Sequence, residues 1–141
     1  MTRPLARALL GRDVATLPET ATLGEAMQAF ETTGRTAIAV LRRRRLCGVL
    51  LAEDVAAARP SACTTLSRGE VTSALATTPV APIVRREAPT VVPDTPVGEV
   101  ARLLEEGAVA VPVLAGGRLV GLLEVSDLLG MPRFHASVIN R

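Results

Sequence analysis

Asp54 and Asp127 are the residues whose type and placement most suggest chemistry. Each follows a short Val/Leu-rich run, Leu46–Leu51 in one case and Leu119–Leu123 in the other, and stands at the start of a helical stretch. Unpaired backbone N–H groups and the positive end of the helix dipole gather at such a point. A carboxylate held there can accept hydrogen bonds from a vicinal diol through its two oxygens. It can equally be a helix-start residue that serves the fold alone.

Other reactive combinations are scarce. All 16 basic residues are Arg, so lysine Schiff bases and P-loop lysines are excluded. The single histidine, His135, lies in the tail, where exposure to solvent is expected rather than a catalytic role. Cys47 sits in an apolar run and reads as a small buried hydrophobe; with Cys63 it makes neither a disulfide framework nor a metal spacing. Carboxylate pairs such as Glu53-Asp54 and Glu105-Glu106 fall on helices and read as surface charge. No nucleophile–base arrangement can be assembled from this set, so the chain is expected to be no enzyme and to need no metal or cofactor. The run Arg42–Arg45 could meet phosphates, but no aromatic residues interleave with it and it falls where a hairpin turn belongs. A solvated turn is expected, and nucleic acid is disfavoured.

The elements that position these residues are legible from periodicity. Leu23, Ala26, Met27 and Phe30 form one apolar helix face, opened by the capping-box pair Thr22 and Glu25 and closed by Gly34. Val97, Val100, Ala101 and Leu104 form another, with Thr95 as N-cap, Pro96 at the first helical position and Gly107 at the end. Paired apolar runs follow each helix, Thr36–Leu41 with Leu46–Leu51 and Val109–Leu114 with Leu119–Leu123, and read as hairpins of buried strands. Short helices come next, over Glu53–Ala58 and Asp127–Leu129. Extended segments precede the long helices around Val14–Leu17 and Thr90–Val92. Ser67 with Glu70 predicts a linker helix over residues 68–76, flanked by a Leu66–Val71 staple.

The chain therefore repeats a β-α-β-β-α order, and the repeat is visible in identities. Laying Leu23–Val55 over Val97–Leu128 matches about a dozen residues with one gap, among them Gly24-Glu25 on Gly98-Glu99 and Gly48, Leu50, Asp54 on Gly121, Leu123, Asp127. With 48% hydrophobic residues, two Phe, no Trp and no Tyr, the core must be aliphatic. A net charge of +2 over 141 residues names no partner. Without a run of ~18 apolar residues no membrane-spanning helix is expected, and the start is a poor secretory signal. The cytoplasm is the default compartment. The expected divisions are residues 1–59, a linker at 60–78, a second unit at 79–131 and a tail at 132–141.

The order and duplication of these elements resemble a tandem pair of cystathionine-β-synthase (CBS) domains. The carriers are Val109-Ala110-Val111-Pro112-Val113, the Gly-Arg-Leu-Val-Gly stretch at Gly117–Gly121, Asp127-Leu128-Leu129, and the opening Thr90–Val97. The first repeat departs at Ala39, where the second has Pro112, and at Arg42–Arg45, where a Gly-containing turn is usual. The resemblance implies a mixed α/β (α+β) fold of two units related by a pseudo-two-fold axis, with clefts between them for adenosine compounds: AMP, ADP, ATP, S-adenosylmethionine or methylthioadenosine. By position, Asp54 and Asp127 would hold the ribose hydroxyls.

The family commonly places a Ser or Thr three residues before that aspartate to meet phosphate. Here the position holds Leu51, which offers no hydrogen bond, and Glu124, whose charge repels phosphate. Ser126 keeps one hydroxyl near the tail or phosphate region. A ligand with a neutral or cationic tail therefore suits the Asp127 site better than a polyphosphate. By the same analogy the adenine would lie against Val14, Ala15 and Thr16 for one site and Ala88, Pro89 and Thr90, with Ala110 and Val111, for the other. Two readings follow: a regulatory module that binds an adenosine ligand and signals to another protein as a homodimer, or a structural dimerisation module with vestigial clefts.

Overall fold

The computed structural model describes residues 4–11, 14–59 and 68–129. Ser67 and Leu66 of the linker cap, Cys63, His135 and the tail lie outside the described residues. Within them the chain forms five helices and five strands: β1 (Thr16–Pro18), α1 (Leu23–Thr33), β2 (Ala37–Arg42), β3 (Arg45–Leu51), α2 (Ala52–Ala58), α3 (Arg68–Thr77), α4 (Val97–Glu105), β4 (Val111–Ala115), β5 (Arg118–Leu123) and α5 (Val125–Leu129). The fold is mixed α+β; the first repeat shows the expected β-α-β-β-α succession, and the second shows α-β-β-α preceded by an isolated bridge at Val91 in place of a strand.

The local signals act as the residue types dictate. Thr22 Oγ1 accepts from the Glu25 backbone N–H, and the Glu25 carboxylate accepts from the Thr22 N–H, closing the capping box on α1. Gly34 ends that helix at φ 68°. The start of α4 differs from expectation. Pro96 itself is the N-cap, and Thr95 Oγ1 instead accepts from the Val92 N–H at 3.0 Å, tightening the turn before the helix. A proline at the cap leaves the threonine one residue too early to reach the helix's free donors.

Two compact units emerge, and the chain crosses between them twice. Among the described residues, one holds those of Ala15–Arg86; the other holds those up to Val14 together with those from Glu87 to Leu129. In the first unit β1 runs parallel to β2, and β2 pairs antiparallel with β3. In the second, β4 pairs antiparallel with β5, and the segment expected to be extended at 90–92 makes a single parallel bridge, Val91 to Val113.

Each unit thus contains the segment that leads into the other repeat. Pro79 bridges Thr22 ahead of α1, and Leu5 bridges Pro96 ahead of α4. Single 3₁₀ turns follow, over Ala81–Ile83 and Ala6–Leu9.

The hairpins are near duplicates. Each has a bulge at the same place, leaving Cys47 opposite the Val40/Leu41 step and Val120 opposite Val113/Leu114. Their turns differ in chemistry. Gly116 and Gly117 adopt φ 59° and 83°, the left-handed pair that a tight two-residue hairpin needs. Arg43 and Arg44 take the same role at φ 50° and 68°, each at a cost of roughly 1 kcal/mol relative to glycine. All four arginines of the run are exposed, as a solvated turn requires.

The cores are aliphatic. Leu23, Ala26, Ile38, Val40, Leu50, Val55 and Val80 fill the first unit; Ala6, Val91, Val100, Val111, Val113 and Leu123 fill the second, beside a smaller cluster of Val97, Ala101 and Leu128. Burial of each Val, Leu or Ile contributes about 1.5–3 kcal/mol, and this holds the short helices to sheets too small to be stable alone.

Candidate functional site

The two aspartates occupy matching places. Asp54 is the third residue of α2 and Asp127 the third of α5, each directly after the second hairpin strand of its repeat. Strand and helix abut because a buried apolar strand end, Leu51 or Leu123, anchors the chain just before it turns into the helix.

Their surroundings differ. Asp127 folds back on its own helix: its Oδ2 accepts from the Glu124 N–H at 2.8 Å, a side-chain cap. Glu124 is only 6% exposed and Ser126 is exposed, so these three residues stand together where α5 begins. Asp54 turns away from its helix to Arg85. Arg85 Nε donates to Oδ2 at 2.8 Å and Nη2 to Oδ1 at 3.2 Å, a two-pronged ion pair.

The guanidinium holds the Asp54 carboxyl below its ordinary value of 3.8, chiefly through that hydrogen bond, against the opposing effect of burial. A depressed carboxyl contributes stability above pH 3.8 that is lost as pH falls through the lower folded value. The Arg85 side chain is 50% exposed, so the contribution is small and weakened by salt. Carboxyl NMR titration is expected to place Asp54 below 3.8 in the wild-type chain and back near it in Arg85→Gln.

Arg85 was not among the residues singled out from sequence. It sits between Val84 and Arg86 with no periodic signal, and only the backbone bridge to Val49 brings it to α2. That bridge is close. A Cβ on Gly48 would lie 2.3 Å from the Arg85 carbonyl oxygen. At the matching place in the other unit, a Cβ on Gly121 would meet the Leu10 side chain instead.

The remaining candidates are distributed as follows. Val14 falls in the unit of Asp127, whereas Ala15 and Thr16 fall in that of Asp54. Ala88, Pro89, Thr90, Ala110 and Val111 all fall in the unit of Asp127. Thr16 and Thr90 are exposed; Val14, Ala15, Ala88 and Pro89 are half-buried. Ala110 and Val111 are fully buried, so their side chains face the core and offer a ligand nothing but backbone.

Cys47 is half-buried rather than fully enclosed, because the bulge turns it toward Glu19. Its thiol donates to Glu19 Oε2 at 3.1 Å, and Arg86 Nη2 reaches Oε1 at 3.4 Å. Burial and then the Glu19 carboxylate push the Cys47 thiol up, which keeps it protonated and poorly nucleophilic. The Cys47 hydrogen bond foremost holds the Glu19 carboxyl down. Among the described residues no His/Cys/Asp/Glu group could hold a metal ion, and no helix is long and apolar enough to cross a membrane.

Comparison with known proteins follows the same duplication. The family model for the CBS domain matches residues 6–61 and again residues 80–132. Both matches begin in the lead-in segments, at equivalent positions. No curated protein matches the chain.

Solved structures do. A CBS domain protein from Pyrobaculum aerophilum, solved in complex with AMP, is 24% identical with a TM-score of 0.75, covering 97% of this chain and 99% of its own. The CBS domain of a CBS-domain-containing membrane protein from Sphaerobacter thermophilus is 21% identical, with a TM-score of 0.75 and coverage of 91% and 87%. A hexameric CBS-CP12 protein from bloom-forming cyanobacteria is 22% identical, with a TM-score of 0.74 and coverage of 96% and 71%.

Proposed function

Because this chain belongs to the CBS-domain family, as a tandem pair, we propose that it is a regulatory module that binds an adenosine nucleotide or nucleoside and signals to a partner protein. The observation that carries this reading is the duplicated aspartate at the third position of the helix after each hairpin. A carboxylate on a rigid strand–helix junction is well suited to hold a ribose diol, and a fold-mate from Pyrobaculum aerophilum was solved with AMP. At Asp127 the adjoining Glu124 favours a ligand whose tail is neutral or cationic, of the methylthioadenosine or S-adenosylmethionine type.

Signalling would be linkage. A ligand that prefers one arrangement of the module shifts its population toward that arrangement, and a partner that reads it responds. Homodimerisation belongs to this reading. The exposed large apolar side chains among the described residues are Val92, Val109, Val120, Val125 and Leu129, all from the unit of Asp127, and they offer apolar surface to a second copy. The chemistry proposed is binding, not catalysis.

Thermal shift with AMP, ADP, ATP, S-adenosylmethionine and methylthioadenosine tests the proposal. A ligand present at 100 times its Kd should add roughly 2.7 kcal/mol of stability. The shift is expected to shrink in Asp54→Asn or Asp127→Asn while each unliganded variant melts near the wild type. Tighter binding of ATP than of the cationic or neutral ligands in Asp54→Asn, where Asp127 alone remains, would remove the tail assignment. A flat response to the whole panel would favour a structural dimerisation module, the reading to which Leu51 and the buried Glu124 lend weight.

A further inference from the structure

Arg85 is a charged residue that the adenosine reading leaves unused, and its placement is built. Its N–H donates to the Val49 carbonyl at 2.8 Å and its carbonyl accepts from the Val49 N–H at 2.9 Å. Gly48 leaves the space for that approach. From this anchored backbone the guanidinium forks onto both oxygens of Asp54.

The repeat gives a control. The lead-in segments align through their bridges, Leu5 to Pro96 and Pro79 to Thr22, and through their turn-closing bonds, Leu10 N–H to Arg7 and Val84 N–H to Ala81. On that alignment the residue in the place of Arg85 is Gly11. Gly11 brings no side chain of its own to that place, and Asp127 accepts from the Glu124 backbone N–H. The arginine fork onto Asp54 is therefore particular to the place of Arg85 and is not repeated by Gly11.

We propose that Arg85 is a specificity-determining residue that makes the Asp54 position select phosphorylated adenosine ligands over uncharged ones; this rests on the adenosine reading above. A two-pronged guanidinium uses both oxygens that a vicinal diol needs. An uncharged nucleoside engaging Asp54 must displace the guanidinium and leave it to water. A phosphate monoester supplies a replacement, because the arginine fork matches phosphate as well as carboxylate. The side chain is half exposed, so it can turn from one anion to the other without leaving a buried charge unpaired. The low carboxyl of Asp54 keeps that acceptor ionised at neutral pH.

Isothermal titration of the full-length chain with AMP and with adenosine tests this, in an Asp127→Asn background so that the heat reports the Asp54 position. AMP is expected to bind at least tenfold more tightly than adenosine. Arg85→Gln should weaken AMP at least tenfold while adenosine binds as well or better, and Arg85→Lys, which keeps the charge without the fork, should retain part of the preference. An AMP-to-adenosine ratio unchanged by Arg85→Gln overturns the assignment, as does an equal loss of both ligands. Binding by the wild-type chain that vanishes in the Asp127→Asn background also overturns it and leaves the adenosine reading standing. If the wild-type chain binds neither compound, the assignment is overturned too, and the adenosine reading itself falls only if S-adenosylmethionine, methylthioadenosine, ADP and ATP also fail to bind.

Discussion

Alanine at Gly48 is expected to destabilise the chain by about 3 kcal/mol, whereas alanine at its repeat mate Gly121 should cost less than about 1 kcal/mol. The two glycines share a strand position but not an obstacle. At Gly48 the added methyl would meet the Arg85 carbonyl oxygen at 2.3 Å and its carbon at 2.9 Å, both backbone. Relief requires moving the segment that makes two hydrogen bonds to Val49, so packing strain and broken bonds add. At Gly121 the obstacle is a terminal methyl of Leu10, Cδ2 at 2.2 Å, with the next atom of that side chain at 3.5 Å. A leucine end can change rotamer. Urea unfolding of the two single variants checks the asymmetry, and equal losses would refute it. Gly48→Ala should also weaken the Arg85–Asp54 pair, and with it any AMP preference.

Leu50→Ala is expected to cost between about 2 and 5 kcal/mol, the range for truncating a fully buried leucine. Leu50 is sealed from solvent and lies across the hairpin from Ile38, also fully buried. The one aromatic side chain packed against this core, Phe30, is only partly buried, and the buried side chains themselves are short and aliphatic, around a sheet of three strands. A cavity there stays largely open. Val125→Ala, at a half-exposed position on α5, is the control and should change stability by less than about 0.5 kcal/mol. Chemical unfolding gives both values; a loss below 1 kcal/mol for Leu50→Ala would mean that the first unit collapses around the missing atoms.

Much of the fold was legible because its signals are local. The apolar stripe of α1, its Thr22–Glu25 box and Gly34 involve residues within a turn or two of one another, and each did in the structure what its type dictates. The hairpins were legible for the same reason, down to the exposed arginine turn. Thr95 shows where local reading fails: a proline next to it moved the cap by one residue and gave the hydroxyl to the preceding turn. Cys47 failed differently. Its apolar neighbours imply burial, but a bulge rotates it toward Glu19, and a bulge depends on how two strands register.

By itself the sequence determined the duplication, the order of elements, the aliphatic core and the matching places of Asp54 and Asp127. Each depends on periodicity, composition or repeat identity along a continuous stretch. Tertiary structure alone decided what surrounds those aspartates. Residues 4–11 pack with the second repeat and residues 78–86 with the first, so the side chain that meets Asp54 comes from 31 positions away and no short-range pattern announces it. The duplicated sequence implies equal aspartates. The chain crossing makes them differ at one matched position, because the lead-in segment places Arg85 beside β3 in one unit and has Gly11 at the equivalent position in the other.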